Sequence, residues 1–157
     1  MPRLIEDVAT LEAMLQESAF EQKIQRIGAE QELALLNPDC DPAFLGPQIL
    51  ETMTDPHFTT EIGRFNLEIN LDPFPLSHDC LHRMEQQLAE MLRTGNAAAH
   101  ALDARILLCG IMPTLTYRHL GRDAMTPNPR YYALSDAIHA MRGRDFEVFL
   151  TGVDDMI

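Results

Sequence analysis

From Phe65 to Leu71 apolar side chains alternate with Asn66, Glu68 and Asn70, and the alternation runs on to Asp72. A period of two belongs to a strand with one buried and one polar face. This stretch constrains the chain most, because Phe65, Leu67, Ile69 and Leu71 need an apolar layer and Glu68 then points away from it. Upstream, Ile24–Leu36 reads as a second strand, in which Glu30 and Glu32 are two apart, share a face and stand roughly 6–7 Å from each other. If the two strands are neighbours, three or four carboxylates converge on one sheet face. Carboxylates so placed repel unless something positive lies between them, and a hard cation such as Mg²⁺ takes oxygen ligands of this kind. Alternating acids are equally ordinary on the solvated face of an antiparallel sheet, so periodicity leaves both readings open.

The other elements read as partners for these strands. Leu4, Val8, Leu11 and Leu15 recur at helical spacing, which predicts an amphipathic helix ending near Ser18 and covering a sheet. Asn37-Pro38-Asp39 closes the first strand, and Asp41 with Pro42 predicts a short helix, interrupted at Gly46-Pro47 and ending near Met53. Pro73 and Pro75 stop the central ladder. Ser77, with a Leu76–Leu81 staple, opens a long helix whose stripe of Met84, Leu88, Met91, Ala98 and Leu102 runs to about Ala104, Gly95 being its weak point. Arg105–Ile111 reads as a buried strand bounded by Pro113. Beyond a polar loop, Asn128, Pro129 and Gly143 bracket a helix with Tyr131, Leu134, Ile138 and Met141 on one face, and Phe146, Val148 and Leu150 start a last strand. The expected class is α+β, a mostly antiparallel sheet covered by helices.

At 157 residues and 46% apolar the chain predicts a single domain, 1–157, with a real core. A net charge of −12 argues against nucleic acid or an anionic membrane as partner. Cys40, Cys80 and Cys109 are odd in number and match no metal spacing, and Met1–Asp7 lacks a signal peptide's basic start, so a reduced cytoplasm is expected. His78 and His82 stand four apart without a HExxH glutamate, and read as an exposed helix face. Neither GxGxxG nor GxxxxGK[ST] is present, so a bound nucleotide would be held by metal ions and side chains.

Four stretches together carry a family resemblance. Ile27-Gly28-Ala29-Glu30-Gln31-Glu32-Leu33 resembles the Gly-x-Glu-x-Glu opening of the glutamate–cysteine ligases, carboxylate–amine ligases that share a core with glutamine synthetase. Phe58-Thr59-Thr60-Glu61 through Asn66-Leu67-Glu68-Ile69 is similar to that family's next motif, an acid followed seven positions later by a glutamate. Leu108–Pro113 and Thr126–Tyr131 resemble its later Gly-x-x-Pro and Arg-Tyr landmarks, in the same order. The resemblance implies a partial glutamine-synthetase-like core and an ATP- and Mg²⁺-dependent reaction. In it the side-chain carboxylate of glutamate attacks the γ-phosphate of ATP, and the amine of cysteine displaces the acyl phosphate.

The same resemblance implies Glu30, Glu32, Glu61 and Glu68 as Mg²⁺ ligands, and Arg130 and Tyr131 as binders of an amino-acid substrate. Tyr131 also fits the apolar stripe of its helix, and Arg130 a surface pair. Glu61 and Glu68 are an odd number apart and would face opposite ways on an unbroken strand, so a bulge or bend is expected at Gly63. Members of that family are much longer, with a histidine-containing metal motif and further acids downstream. The expectation is therefore an N-terminal portion of a larger ligase domain, inactive alone and prone to homo-oligomerisation through its exposed sheet edge. A ligase with a different amino-acid substrate, or a non-catalytic metal-binding or interaction module, would use the same acids.

Overall fold

The computed structural model describes residues 2–143 and has an α+β architecture with antiparallel sheets; the expected strand at Phe146–Leu150 lies outside the described residues. Helix α1 spans Pro2–Gln16, strand β1 Arg26–Ile27, β2 Glu30–Leu36, helix α2 Gly46–Thr52, β3 Phe58–Thr60, β4 Asn66–Asn70 and β5 Phe74–Pro75. The long helix α3 follows at Cys80–His100, then β6 at Arg105–Leu107, two 3₁₀ turns at Tyr117–His119 and Arg122–Ala124, and α4 at Pro129–Arg142. Four strands form one sheet in the order β3-β4-β2-β6, and β1 pairs with β5 in a separate two-stranded ribbon. Among the described residues no helix is long and apolar enough to cross a membrane.

One face of the four-stranded sheet holds the main core. Leu33 and Leu35 of β2 and Leu67 and Ile69 of β4 are fully buried there with Ile49 of α2, and Met84, Met91 and Ala99 of α3 pack onto them. Gly95, expected as the weak point of α3, packs tightly against the sheet. A Cβ there would stand 3.1 Å from side-chain atoms of both Phe58 and Ile106. Its backbone entropy cost is offset by packing that a larger residue would prevent.

Several boundaries differ from the sequence reading. The predicted first strand is broken at Gly28-Ala29, so that β1 serves the ribbon and β2 the sheet. Gly46-Pro47 opens α2 instead of interrupting an earlier helix, because Gly46 lies against β4's approach: its N–H donates to Arg64 O at 2.8 Å, and a Cβ would come within 2.9 Å of that oxygen. Helix α3 begins at Cys80 after Asp79, and the supposed staple of Leu76 and Leu81 is solvent-exposed. Strand β6 stops at Leu107, and Ile111, expected in its buried run, is 83% exposed. Asn128 does cap α4, accepting from the Arg130 N–H at 3.0 Å, and Gly143 ends it with φ +66°. Helix α1 forms where expected but covers no sheet, since its whole apolar stripe faces solvent.

Candidate functional site: the acidic face of the sheet

The register of the strands decides which acids meet. Glu32 of β2 lies directly opposite Glu68 of β4, Glu30 opposite Asn70, and Thr59 of β3 flanks Glu68 on the other side. Paired residues share a sheet face, so Glu30, Glu32, Glu68 and Asn70 all point away from the main core. Between Thr60 and Asn66 the chain turns back on itself, with the Asn66 N–H donating to Gly63 O at 2.9 Å. Glu61 thus follows the last residue of β3 while Glu68 sits on β4, and their odd separation places them on the same side of a hairpin. The bend expected at Gly63 is this turn, not a bulge in one strand.

A second chain segment fixes that turn. Thr126, itself buried, donates from Oγ1 to Glu61 O at 2.6 Å and from its N–H to Ile62 O at 2.7 Å, and the Arg64 N–H donates to Ala124 O at 2.8 Å. Farther along the acidic face the polar pattern gives way to a smaller apolar cluster of Ala34, Phe65, Met112 and Ala124. Phe44 joins it, stacked on Phe65 with ring centroids 5.9 Å apart. Where this cluster meets the acids a cavity of ≈ 230 Å³ opens, lined by Glu32, Glu61, Asn66, Cys109, Gly110 and Met112 among others. Glu30 sits in an adjoining hollow of ≈ 330 Å³ beside Gly28 and Asn70.

Three of the four predicted metal ligands are therefore brought together, Glu32, Glu61 and Glu68, while Glu30 stands one residue pair along. Burial raises the Glu61 carboxyl above its ordinary pKa; the Ile62 N–H, 3.1 Å from Oε2, opposes this, and the neighbouring Glu68 and Glu32 carboxylates add to the rise. Asn70 Nδ2 donates to Glu68 Oε1 at 2.7 Å and orients it on the face. Among the described residues no three His, Cys, Asp or Glu side chains already stand as a metal cage. The donors gathered are hard oxygens on a polar face beside a cavity, which is the chemistry Mg²⁺ accepts.

Arg130 and Tyr131 lie at the start of α4, and neither is among the residues lining the acid-walled cavity. Tyr131 donates its hydroxyl to Thr60 O at 2.7 Å and stands 3.1 Å from Thr60 Oγ1, which pins α4 to the end of β3 one residue from Glu61. Arg130 is exposed beside it.

In the sequence His57 matches no metal spacing, and its role appears only in the fold. Its Nδ1 lies 2.6 Å from Asp55 Oδ1 and its Nε2 3.2 Å from Asp72 Oδ1, while Gln87 of α3 donates from Nε2 to Asp72 Oδ2 at 2.6 Å. The hydrogen bond to Asp55, then that to Asp72, raises the imidazole pKa above its ordinary value. Asp55 is lowered chiefly by the His57 backbone N–H, and Asp72 by the His57 ring and then Gln87. The cluster ties the start of β3, the end of β4 and α3 together. Only the local half, an Asp-Pro-His turn, leaves a trace in the sequence.

No protein-family model, curated protein or solved structure matches this chain.

Proposed function

We propose that the chain carries the magnesium-binding acids of a cytoplasmic carboxylate–amine ligase resembling the glutamate–cysteine ligases, built on part of a glutamine-synthetase-like core. The observation that carries this reading is the meeting of Glu32, Glu61 and Glu68 from two strands and a hairpin turn beside one cavity. Like charges at such a spacing cost stability in proportion to their burial, and a divalent cation relieves that cost. Glu32, Glu61 and Glu68 would hold one ion, and Glu30, in the next hollow, a second. When bound, Mg²⁺ supplies neutralisation of the ATP triphosphate and of the charge that develops on the transferred phosphoryl group.

In this reading glutamate's side-chain carboxylate attacks the γ-phosphate of ATP, ADP departs, and the amine of cysteine displaces phosphate from the acyl phosphate to form the γ-glutamyl amide. Exposed Arg130 is the carboxylate partner for the amino-acid substrate, because a guanidinium matches a carboxylate bidentately. Tyr131 positions α4 through Thr60.

Calorimetric titration with Mg²⁺, compared between the chain and its Glu61→Gln/Glu68→Gln variant, tests the site. The expected result is at least a tenfold loss of affinity in the variant, and equal affinity overturns the metal site. A separate assay for ATP-dependent γ-glutamyl amide formation by the full-length protein tests the reaction. Turnover with another acceptor amine would assign a sister ligase, and Mg²⁺ binding without turnover a binding module.

A further inference from the structure

The surface left unexplained by the acidic face is α1. Its apolar side chains Leu4, Ile5, Val8, Leu11 and Leu15 are between 49% and 69% exposed, a contiguous stripe along a helix about 22 Å long. Leu4, Val8, Leu11 and Leu15 follow spacings of four, three and four, the alternation of a coiled-coil seam, with Leu at two d positions and Val8 and Leu15 at a. A stripe this narrow matches another helix of the same kind better than it matches a broad sheet face. Arg3 is the only basic residue of α1, against Glu6, Asp7 and Glu12, so an anionic membrane surface would repel it.

We propose that α1 is a self-association surface that pairs antiparallel with α1 of a second copy of this chain. The seam is self-complementary in that direction: Leu4 meets the partner's Leu15 and Val8 meets the partner's Leu11, each a against d. The flanks agree. Antiparallel pairing sets Ile5 beside the partner's Glu12 and Asp7 beside the partner's Met14, with no like charges facing. Parallel pairing sets Asp7 against the partner's Glu12 on both sides of the seam, two repulsions in a short interface. Two heptads bury an area at the small end for a specific interface, so the dimer is concentration-dependent.

Sedimentation of the 157-residue chain from about 1 µM to about 500 µM tests this, because a small interface assembles within that range. The expected result is a dimer fraction that grows with concentration and is lost in Leu11→Glu, with circular dichroism and thermal midpoint unchanged because Leu11 supports no core in the monomer. Direction is read by disulfide trapping in a Cys40→Ser background. Antiparallel pairing keeps the two copies of residue 4 roughly 16 Å apart. Leu4→Cys mixed with Leu15→Cys should therefore cross-link, and Leu4→Cys alone should not. A monomer throughout the range overturns the proposal, and slow amide exchange of α1 in that monomer would show another segment of the same chain covering it. A dimer that survives Leu11→Glu, or Leu4→Cys cross-linking alone as readily as the mixture, overturns it as well.

Discussion

The two faces of the four-stranded sheet are written in alternate residues of the same strands, yet they obey opposite rules. On one face Leu33, Leu35, Leu67 and Ile69 are fully buried under α2 and α3. On the other, Glu32, Glu68 and the adjoining Glu61 crowd together although nothing basic is hydrogen-bonded to them among the described residues. The first arrangement is what stability selects. The second works against it, because bringing carboxylates together while partly burying one of them disfavours the folded state. A protein that only needed a solvated sheet face could interleave lysines, which would remove the repulsion at no cost in β structure. Under the proposed function that face is kept for a cation.

The largest effect expected from breaking this contrast is on the core side. Leu67→Ala removes a fully buried side chain between β4's neighbours and the helices, and should lower the unfolding free energy by about 2–5 kcal/mol in urea titration. The Mg²⁺ affinity of the protein that remains folded should not change. The acid across the hairpin turn gives the mirror result. Glu61→Gln removes a carboxyl whose folded-state pKa is raised, so the folded state binds its proton more tightly than the unfolded state does. Stability is then lost in the parent as pH rises from about 4.3, the unfolded value, through the raised folded value. Above that window the variant should be the more stable protein, by no more than about 1 kcal/mol because solvent screens a partly exposed group. Below pH 4 the two should coincide. Added Mg²⁺ should raise the thermal midpoint of the parent more than that of the variant. A parent at least as stable as the variant at pH 7, with no response to Mg²⁺, would remove the contrast.

The alternation at Asn66–Leu71 and the cap and stop of α4 were legible in the sequence because each is a local rule: strand period, an asparagine cap, a left-handed glycine. Phe65, expected on the same buried face, instead joins Ala34 in the cluster on the acidic side. The acids were legible as a set, but the means by which they meet was not. Ile62-Gly63-Arg64 carries no Asn-Gly or Asp-Gly signal, and β3 has only three residues, too few for a pattern. Glu61 and Glu68 therefore looked like residues of one bent strand when they belong to two sides of a turn. The same limit explains α1, whose periodicity states that it has an apolar stripe and not what the stripe meets. It also explains Gly95, where propensity names a weakness and only the approach of Phe58 and Ile106 reveals a tight contact. Residues 108–111 read as strand because they are apolar, whereas β2 offers β6 only three partners, at Ala34, Leu35 and Leu36.

The smallest effect concerns the rim that joins the two faces, where His57 bridges Asp55 and Asp72. Protonated, the ring offers an N–H to each carboxylate; neutral, it has one N–H for two acceptors, and the longer contact, 3.2 Å to Asp72, is the one to be lost. Because the folded-state pKa of His57 is raised, its contribution is complete below about 6.5, the unfolded value, and disappears as pH rises through the folded value. Asp55 and Asp72 are lowered, so their contribution is complete above about 3.9 and disappears as pH falls through their folded values. The clamp is therefore strongest between about pH 4 and 6.5. His57→Gln should slightly flatten the fall in stability above about pH 6.5, because solvent screens these exposed groups. The ring Nε2–Asp72 pair also holds the carboxylate that Gln87 grips, so the loss should appear as faster amide exchange at Asp72, whose N–H donates to Gln87 Oε1 at 3.1 Å. An imidazole that titrates by NMR at or below its unfolded value would show that the bridge does not hold in solution, and the rim would then take no part in the difference between the two faces.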